Sequence, residues 1–178
     1  MRPPAKISSE ETLYTAALGA LARRAHSVFE MRSYLERRAA DREAARHVLA
    51  RLRQEKLLDD ARYALEFARH RARTRRQGRY RIVRELRARG VADAHIEAAV
   101  AQVFAETDEA IVVRKLIERR MQSLRGPFDS RKAASLYRSL LRSGFDAALI
   151  QREMRTATRG GAAERSEWGK VFAAGELE

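Results

Sequence analysis

The chain has 178 residues, of which 45% are hydrophobic, 34% are charged and 7% are aromatic. This composition supports buried cores, and the low aromatic content favours thin helical packing over one thick core. The absence of cysteine excludes disulfides and thiolate chemistry. A net charge of +13 favours a polyanionic partner, which is nucleic acid, an acidic protein surface or an anionic membrane.

Genome composition is the alternative explanation of the charge, since only five of the 37 basic residues are lysine. Coding bias explains arginine in place of lysine, but it does not explain the excess over 24 acidic residues. We therefore favour a functional interaction. The N-terminal segment lacks the apolar core of a signal peptide, and no apolar run approaches the length of a membrane span. These features predict a soluble cytoplasmic protein without a membrane partner.

Few glycines, few prolines and sparse β-branched residues predict an all-α protein. Residues 1–7 are expected to form a flexible basic tail. Residues 8–57 should then form a first group of three helices. An S-S-E-E run beginning at Ser8 predicts a capping box for the first helix, which we extend to about His26.

The second helix is predicted to begin at another capping box, formed by Ser27 and Glu30. Asp41 is expected to cap the third helix. A second group is predicted over residues 58–105, with Asp59 or Asp60 capping its first helix.

Within that second group, Gly78 is predicted to open the turn before the fifth helix, and Gly90 to end that helix in a left-handed C-cap. Asp93 is then expected to cap the sixth helix. A third group follows over residues 106–157, with Thr107 as its first cap.

The third group contains an LRGPFDS loop between its first two helices. The C-terminal tail, residues 158–178, is expected either to form one short helix or to lack regular structure.

The groups align with one another, which makes an internal repeat of about 50 residues visible. When Gly90 is set on Gly144, Ile82 falls on Leu136 and Leu86 falls on Leu140. Val91 then falls on Phe145 and Ile96 on Ile150, while the first group has Ala39 where a glycine would stand. The pattern predicts an elongated array of three tandem three-helix repeats.

No catalytic constellation stands out in the sequence. The four histidines have no partner at metal-ligand spacing, and no phosphate-binding loop of the G-x-x-x-x-G-K type is present. We therefore predict neither enzymatic activity nor a metal or cofactor. Asp59 and Asp60 are interpreted as helix caps, and Tyr63 and Phe67, four residues apart, as core packing.

The candidate functional residues lie in the arginine segment, residues 69–89, which holds ten arginines against the single acid Glu85. Their guanidinium groups suit bidentate contacts to phosphate or carboxylate. A solvated charged face is the alternative, but so many like charges disfavour a helix unless they serve a function. Arg69, Arg73 and Arg76 are predicted to share one helical side, and Arg71 and Arg75 another. The candidates are Arg69, Arg71, Arg73, Arg75, Arg76, Arg79, Arg81, Arg84 and Arg87.

The segment LLDDARYALEFARHRARTRRQGRYRIVRELRARGV, residues 57–91, resembles the core signature of the regulatory protein RecX family. The resemblance rests on the entry Leu58-Asp59-Asp60 with the aromatic residue Tyr63, and on the glycines at positions 78 and 90. It covers residues 12–105 well and residues 107–155 more weakly.

The resemblance implies an elongated stack of three-helix repeats that binds RecA, chiefly as its filament on single-stranded DNA. It implies inhibition of recombinase, ATPase and coprotease activities in DNA repair and the SOS response, direct binding to single- and double-stranded DNA, and no enzymatic activity. We expect a monomer. The competing hypothesis is an independent DNA-binding protein of helix-turn-helix type. Charge reversal at Arg73, Arg76 and Arg79 together is predicted to weaken filament binding without unfolding the protein.

Overall fold

The structure is a computed structural model that describes residues 6–123 and 128–158. Within these ranges nine helices account for the regular structure, apart from one isolated bridge. The helices are α1 (Glu10–Arg23), α2 (Val28–Arg38), α3 (Arg42–Gln54), α4 (Asp60–Arg73), α5 (Arg79–Arg87), α6 (Asp93–Ala105), α7 (Glu109–Ser123), α8 (Ser130–Arg142) and α9 (Ala147–Thr158). The prediction of an all-α protein with groups of three helices is confirmed.

The described residues divide into two compact units. The first contains residues 6–69 and 83–102, and the second contains residues 70–82 and 103–158 without 124–127. Because α4 and α5 each contribute to both, these units do not coincide with the groups of three helices. The predicted tail over 158–178 lies outside the described residues, apart from position 158.

The first unit has a core formed by α1, α2 and α3. Its apolar positions recur at helical spacing, so that one face of each helix is buried. The largest fully buried side chains in this core are Leu13, Met31, Leu35 and Leu52. The second unit has a separate core, in which α7, α8 and α9 bury Val113, Ile117, Leu140, Ile150 and Met154.

The left-handed C-cap predicted at Gly90 is confirmed, and the aligned Gly144 adopts the same conformation. Their φ angles are +68° and +88°. In both turns the next residue donates its backbone N–H to a carbonyl five residues back, from Val91 to Leu86 and from Phe145 to Leu140, each at 3.3 Å. Glycine reaches this conformation without the steric cost that a side chain adds.

Ala39 replaces glycine in the first group because the chain leaves α2 differently there. Ala39 has φ −64° and ψ 141°, an extended conformation that any residue adopts. It pairs with Ile7 in a parallel bridge, in which the Ile7 N–H donates to Arg38 and the Ala40 N–H donates to Ile7. Ile7 is thus fixed to the end of α2, while the rest of the predicted tail, residues 1–5, lies outside the described residues.

Helix starts were predicted with mixed success. The capping box of Ser27 and Glu30 is present in full. The box at Ser8 is wrong, because Ser9 is the cap and accepts from the Thr12 N–H, and α1 ends at Arg23 rather than near position 26.

Three other caps also differ from the prediction. Asp41 occupies the N-cap of α3 but forms no side-chain capping bond. Asp93 is the first residue of α6 rather than its cap. Asp108, not Thr107, accepts the Ala110 N–H at 2.7 Å at the start of α7.

The two adjacent carboxylates at the start of α4 cap different helices. Asp59 accepts from the N–H groups of Ala61 and Arg62 and so caps α4 itself. Asp60 accepts the Val28 N–H at 2.8 Å and so satisfies the start of α2. Asp60 therefore connects the first group of helices to the second.

The same connection recurs between the second and third groups. Asp108 caps its own helix, while Glu109 accepts the Arg79 N–H at 3.1 Å at the start of α5. In each case the second acid of the pair caps a helix of the preceding group. The first helix of one group thus stabilises the second helix of the group before it.

Replacing Asp60 by alanine is expected to destabilise the protein by about 0.5–2 kcal/mol, because the first turn of α2 loses a capping acceptor. Urea unfolding followed by circular dichroism measures this loss. Asp60→Asn is the matched control, since its amide oxygen still accepts the Val28 N–H and should retain most of the stability. Equal stability of Asp60→Ala and the parent chain would show that the bond contributes nothing.

Candidate polyanion-binding surface

The arginine segment covers the end of α4, the following turn and α5. Arg69, Arg71 and Arg73 lie on α4, Arg75 and Arg76 lie in the turn, and Arg79, Arg81, Arg84 and Arg87 lie on α5. Because α4 ends at position 73, the prediction that Arg75 and Arg76 continue two helical sides is wrong. The first unit contains Arg69, Arg84 and Arg87, and the second contains the other six.

In the first unit, two of the three candidate arginines are close to acids. The Arg87 Nε lies 2.7 Å from an Asp93 carboxylate oxygen, and this hydrogen bond raises the pKa of the Arg87 guanidinium. Arg69 lies 3.7 Å from Glu66 in a looser pair. Arg84 is exposed and forms no ion pair with the part of the chain that the structure describes. It is therefore the candidate most available to an external anion in this unit.

In the second unit, two candidate arginines are held by acids at the start of the third group. Arg79 donates through Nε to Glu109 at 2.6 Å, and the Glu109 side chain is only 10% exposed. Arg73 donates to Glu106 at 3.0 Å. Arg73 and Arg79 therefore stabilise the fold through ion pairs, in addition to the positive charge that they carry.

Arg81 lies at a junction between helices of the second and third groups. Its guanidinium donates to the carbonyl of Arg142 at 3.3 Å, next to the left-handed turn at Gly144. In that junction the N–H of Gly78 donates to Ser143 and that of Tyr80 donates to Gly144. Gly78 therefore does more than open the turn before α5, because its backbone N–H also donates to Ser143 in the third group of helices. Arg71, at the end of α4, is half-buried.

The turn between α4 and α5 presents the remaining two candidates, Arg75 and Arg76. Both are exposed, and neither forms an ion pair within residues 6–123 and 128–158. Arg76 has φ +50°, the left-handed conformation that glycine adopts at the ends of α5 and α8. A side chain in that conformation costs about 1–2 kcal/mol.

Sequence reasoning missed two arginines that the fold places beside this turn. Arg119 and Arg120 of α7 line one open groove together with Arg75 and Arg76. They lie more than 40 residues further along the chain, in a different group of helices. An adjacent basic pair was the only signal in the sequence, and it did not point to the turn.

Asp59 caps α4 as predicted, whereas Asp60 caps α2 instead, and the predicted packing of Tyr63 against Phe67 is present. The Tyr63 and Phe67 rings are stacked with centroids 6.0 Å apart, and the Arg89 guanidinium lies 4.6 Å from the Phe67 ring. Glu30 accepts a hydrogen bond from the Tyr63 hydroxyl. Burial would raise the pKa of Glu30, but hydrogen bonds from Arg24 and the Ser27 backbone lower it below its usual value.

Among the described residues, no cluster of three or more acidic or histidine side chains is placed to hold a metal ion. The described helices also include none long and apolar enough to cross a membrane.

Comparison with known proteins decides the family. Residues 14–52 match the family model described as the first three-helix domain of RecX, and residues 59–100 match that of the second. The regulatory protein RecX of Halorhodospira halophila is 39% identical over 144 residues, which cover 81% of this chain and 87% of that protein. The chain belongs to the RecX family.

Other relatives agree with this assignment. The regulatory protein RecX of Prosthecochloris aestuarii is 34% identical over 138 residues, covering 78% of this RecX-family chain and 88% of that protein. The fold is also that of known RecX structures. The crystal structure of RecX from Lactobacillus salivarius superposes with a TM-score of 0.71 at 20% identity, and covers 83% of this chain and 95% of that one.

Proposed function

We propose that this chain binds RecA and RecA filaments on single-stranded DNA, and that it lowers their recombinase, ATPase and coprotease activities. It would act in the cytoplasm as a non-enzymatic monomer during DNA repair and the SOS response. Membership of the RecX family is the observation that supports this proposal most directly. The net charge of +13 agrees with a partner that contains nucleic acid.

The arginine segment is the proposed contact region. The arginines that no acid of the described chain neutralises, Arg75, Arg76 and Arg84, are exposed. Unneutralised guanidinium groups attract phosphate and carboxylate over several ångströms and speed the encounter at low salt. Binding should therefore weaken as the salt concentration rises.

The contacts of Arg73 and Arg79 change the mutational test that the sequence suggested. A glutamate at either position would face Glu106 or Glu109 and would convert an attraction into a repulsion. Charge reversal there would destabilise the fold as well as remove positive charge. Arg75 and Arg84 offer a cleaner pair.

We predict that Arg75→Glu with Arg84→Glu weakens binding to RecA filaments by at least about tenfold near 0.1 M salt, because two attractive charges become repulsive. Co-sedimentation with filaments measures the affinity, and circular dichroism checks the fold. Arg131→Glu with Arg138→Glu is the matched control, since it changes the net charge equally at two exposed positions of α8. Equal losses in both double variants would show that net charge, and not the arginine segment, determines the affinity.

A DNA-binding protein that acts without RecA is the second candidate function. The short three-helix groups and the excess of positive charge favour it, since helix-turn-helix proteins share both features. Such a protein should select a duplex site and usually bind it as a dimer. Sequence-independent binding by a monomer with a steep salt dependence would count against this function.

A further inference from the structure

The second unit contains a groove that we call the α7–α8 groove. It lies between α7, α8 and the turn that follows α4, and its volume is 590 Å³. Four arginines line it, Arg75 and Arg76 from the turn and Arg119 and Arg120 from α7. The lining contains no acidic residue among those that the structure describes.

The four guanidinium groups are available to a ligand. All four side chains are exposed, and none forms an ion pair within the described ranges. The mutual repulsion of four cations around one groove disfavours the empty state and is relieved by a bound polyanion. A groove with this lining therefore attracts phosphate groups.

The backbone of Arg76 determines where its side chain lies. Its left-handed φ of +50° would be relieved by glycine, which the chain uses at Gly90 and Gly144. Lys56, which follows α3, has the same conformation with φ +56°, so this backbone geometry belongs to the end of a helix. The side chain that this conformation positions at Arg76 lines the α7–α8 groove.

The rest of the lining favours a nucleic-acid backbone over an acidic protein surface. Protein partners usually anchor apolar or aromatic side chains in pockets. Three leucines line the groove, but Leu136 and Leu140 are 8% and 4% exposed, which leaves the half-buried Leu116 as the main apolar contribution. Ser139 and Ser143 are small and permit close approach of a strand. With no aromatic side chain among the described lining residues, the groove offers no platform for base stacking.

We propose that the α7–α8 groove binds the sugar–phosphate backbone of DNA through Arg75, Arg76, Arg119 and Arg120, without reading the bases. This inference deepens the proposed function, on which it rests for the presence of DNA. Single-stranded and duplex DNA should both bind, because each presents phosphates.

The test measures DNA binding by the full chain without RecA. Fluorescence anisotropy with a labelled oligo(dT) strand, and separately with a duplex, gives Kd over a range of salt concentrations. Arg119→Gln with Arg120→Gln should raise Kd by about fivefold for each lost contact near 0.1 M salt, hence about 25-fold for the pair. The slope of log K against log salt for the single strand should fall by about 1.4, at about 0.7 for each lost contact.

The control pair is Arg131→Gln with Arg138→Gln, which removes the same charge from α8 outside the groove lining. It should change Kd by less than about threefold. Equal losses in both pairs would overturn the proposal, because net charge alone would then explain the binding. A groove variant that keeps its DNA affinity but loses co-sedimentation with RecA filaments would also overturn it, in favour of an acidic protein surface as the occupant.

Arg76→Gly separates side-chain binding from folding. It should weaken DNA binding by about fivefold while the melting temperature stays equal or rises, since glycine relieves the left-handed strain. An unchanged Kd in this variant would exclude Arg76 from the site and contradict the proposal. DNA binding that depends on Arg119 and Arg120, in a chain without effect on RecA, would support the groove and refute only the proposed function.

Discussion

Replacing Gly78 by alanine is expected to destabilise the protein by about 3 kcal/mol or more. A Cβ at this position would lie against the Gly144 carbonyl and 2.6 Å from the backbone nitrogen of Phe145. Both obstacles are backbone atoms at the left-handed end of α8, so no side chain can move aside. The junction would have to open, which breaks the bond from Gly78 to Ser143 and the bond from Tyr80 to Gly144.

Urea unfolding of Gly78→Ala measures this effect, and Gly19→Ala supplies the matched control. Gly19 lies inside α1, where an added Cβ would meet only the flexible Arg23 side chain at 3.9 Å. Because alanine is the better helix former, that control should gain about 0.5–1 kcal/mol. The same replacement of glycine by alanine is thus expected to destabilise the protein at position 78 and to stabilise it at position 19. A Gly78→Ala variant as stable as the parent chain would contradict the close approach at this junction.

Leu86→Ala is expected to cost about 2–5 kcal/mol, because the side chain is fully buried and its removal leaves a cavity. Leu141→Ala is the control, since Leu141 also lies in a helix but is 38% exposed. Surface substitutions of that kind usually change stability by less than about 0.5 kcal/mol. Thermal or urea unfolding measures the stability of both variants. An equal loss of stability in both would show that burial of the side chain at position 86 does not determine the effect.

The repeat was predictable from the sequence because its signals are local. The glycines at positions 90 and 144 and the apolar residues around them align without gaps, and the two turns have the same backbone bonds. Ala39 broke the pattern for a reason outside the aligned residues. Its extended backbone depends on pairing with Ile7, more than 30 residues away.

Helix starts were predicted less well because the sequence often offers two adjacent acceptors. Ser8 competes with Ser9, and Thr107 with Asp108, and in the structure the second residue of each pair is the cap. The role of Asp60 could not be predicted, since the N–H group that it accepts belongs to Val28 in the preceding group of helices. Local propensity contains no information about such a distant partner.

The sequence predicts which segment contains the candidate site. It does not predict which residues from other helices lie beside that segment. The sequence identifies the positive charge of residues 69–89. It does not show that Glu106 and Glu109 form ion pairs with two of these arginines. Nor does it show that Arg119 and Arg120 line the same groove as the turn at Arg75 and Arg76. Both facts depend on how α7 packs within the second unit.

Regulation of RecA by this chain is measured as a change in the rate at which RecA hydrolyses ATP on single-stranded DNA. RecA filaments are titrated with this chain at fixed, moderate salt, and the rate is followed up to stoichiometric ratios. Our prediction is a progressive fall in rate that is weaker for Arg75→Glu with Arg84→Glu and unaltered for Arg131→Glu with Arg138→Glu. A rate that stays constant at stoichiometric ratios, with no co-sedimentation of the chain with the filaments, would contradict it.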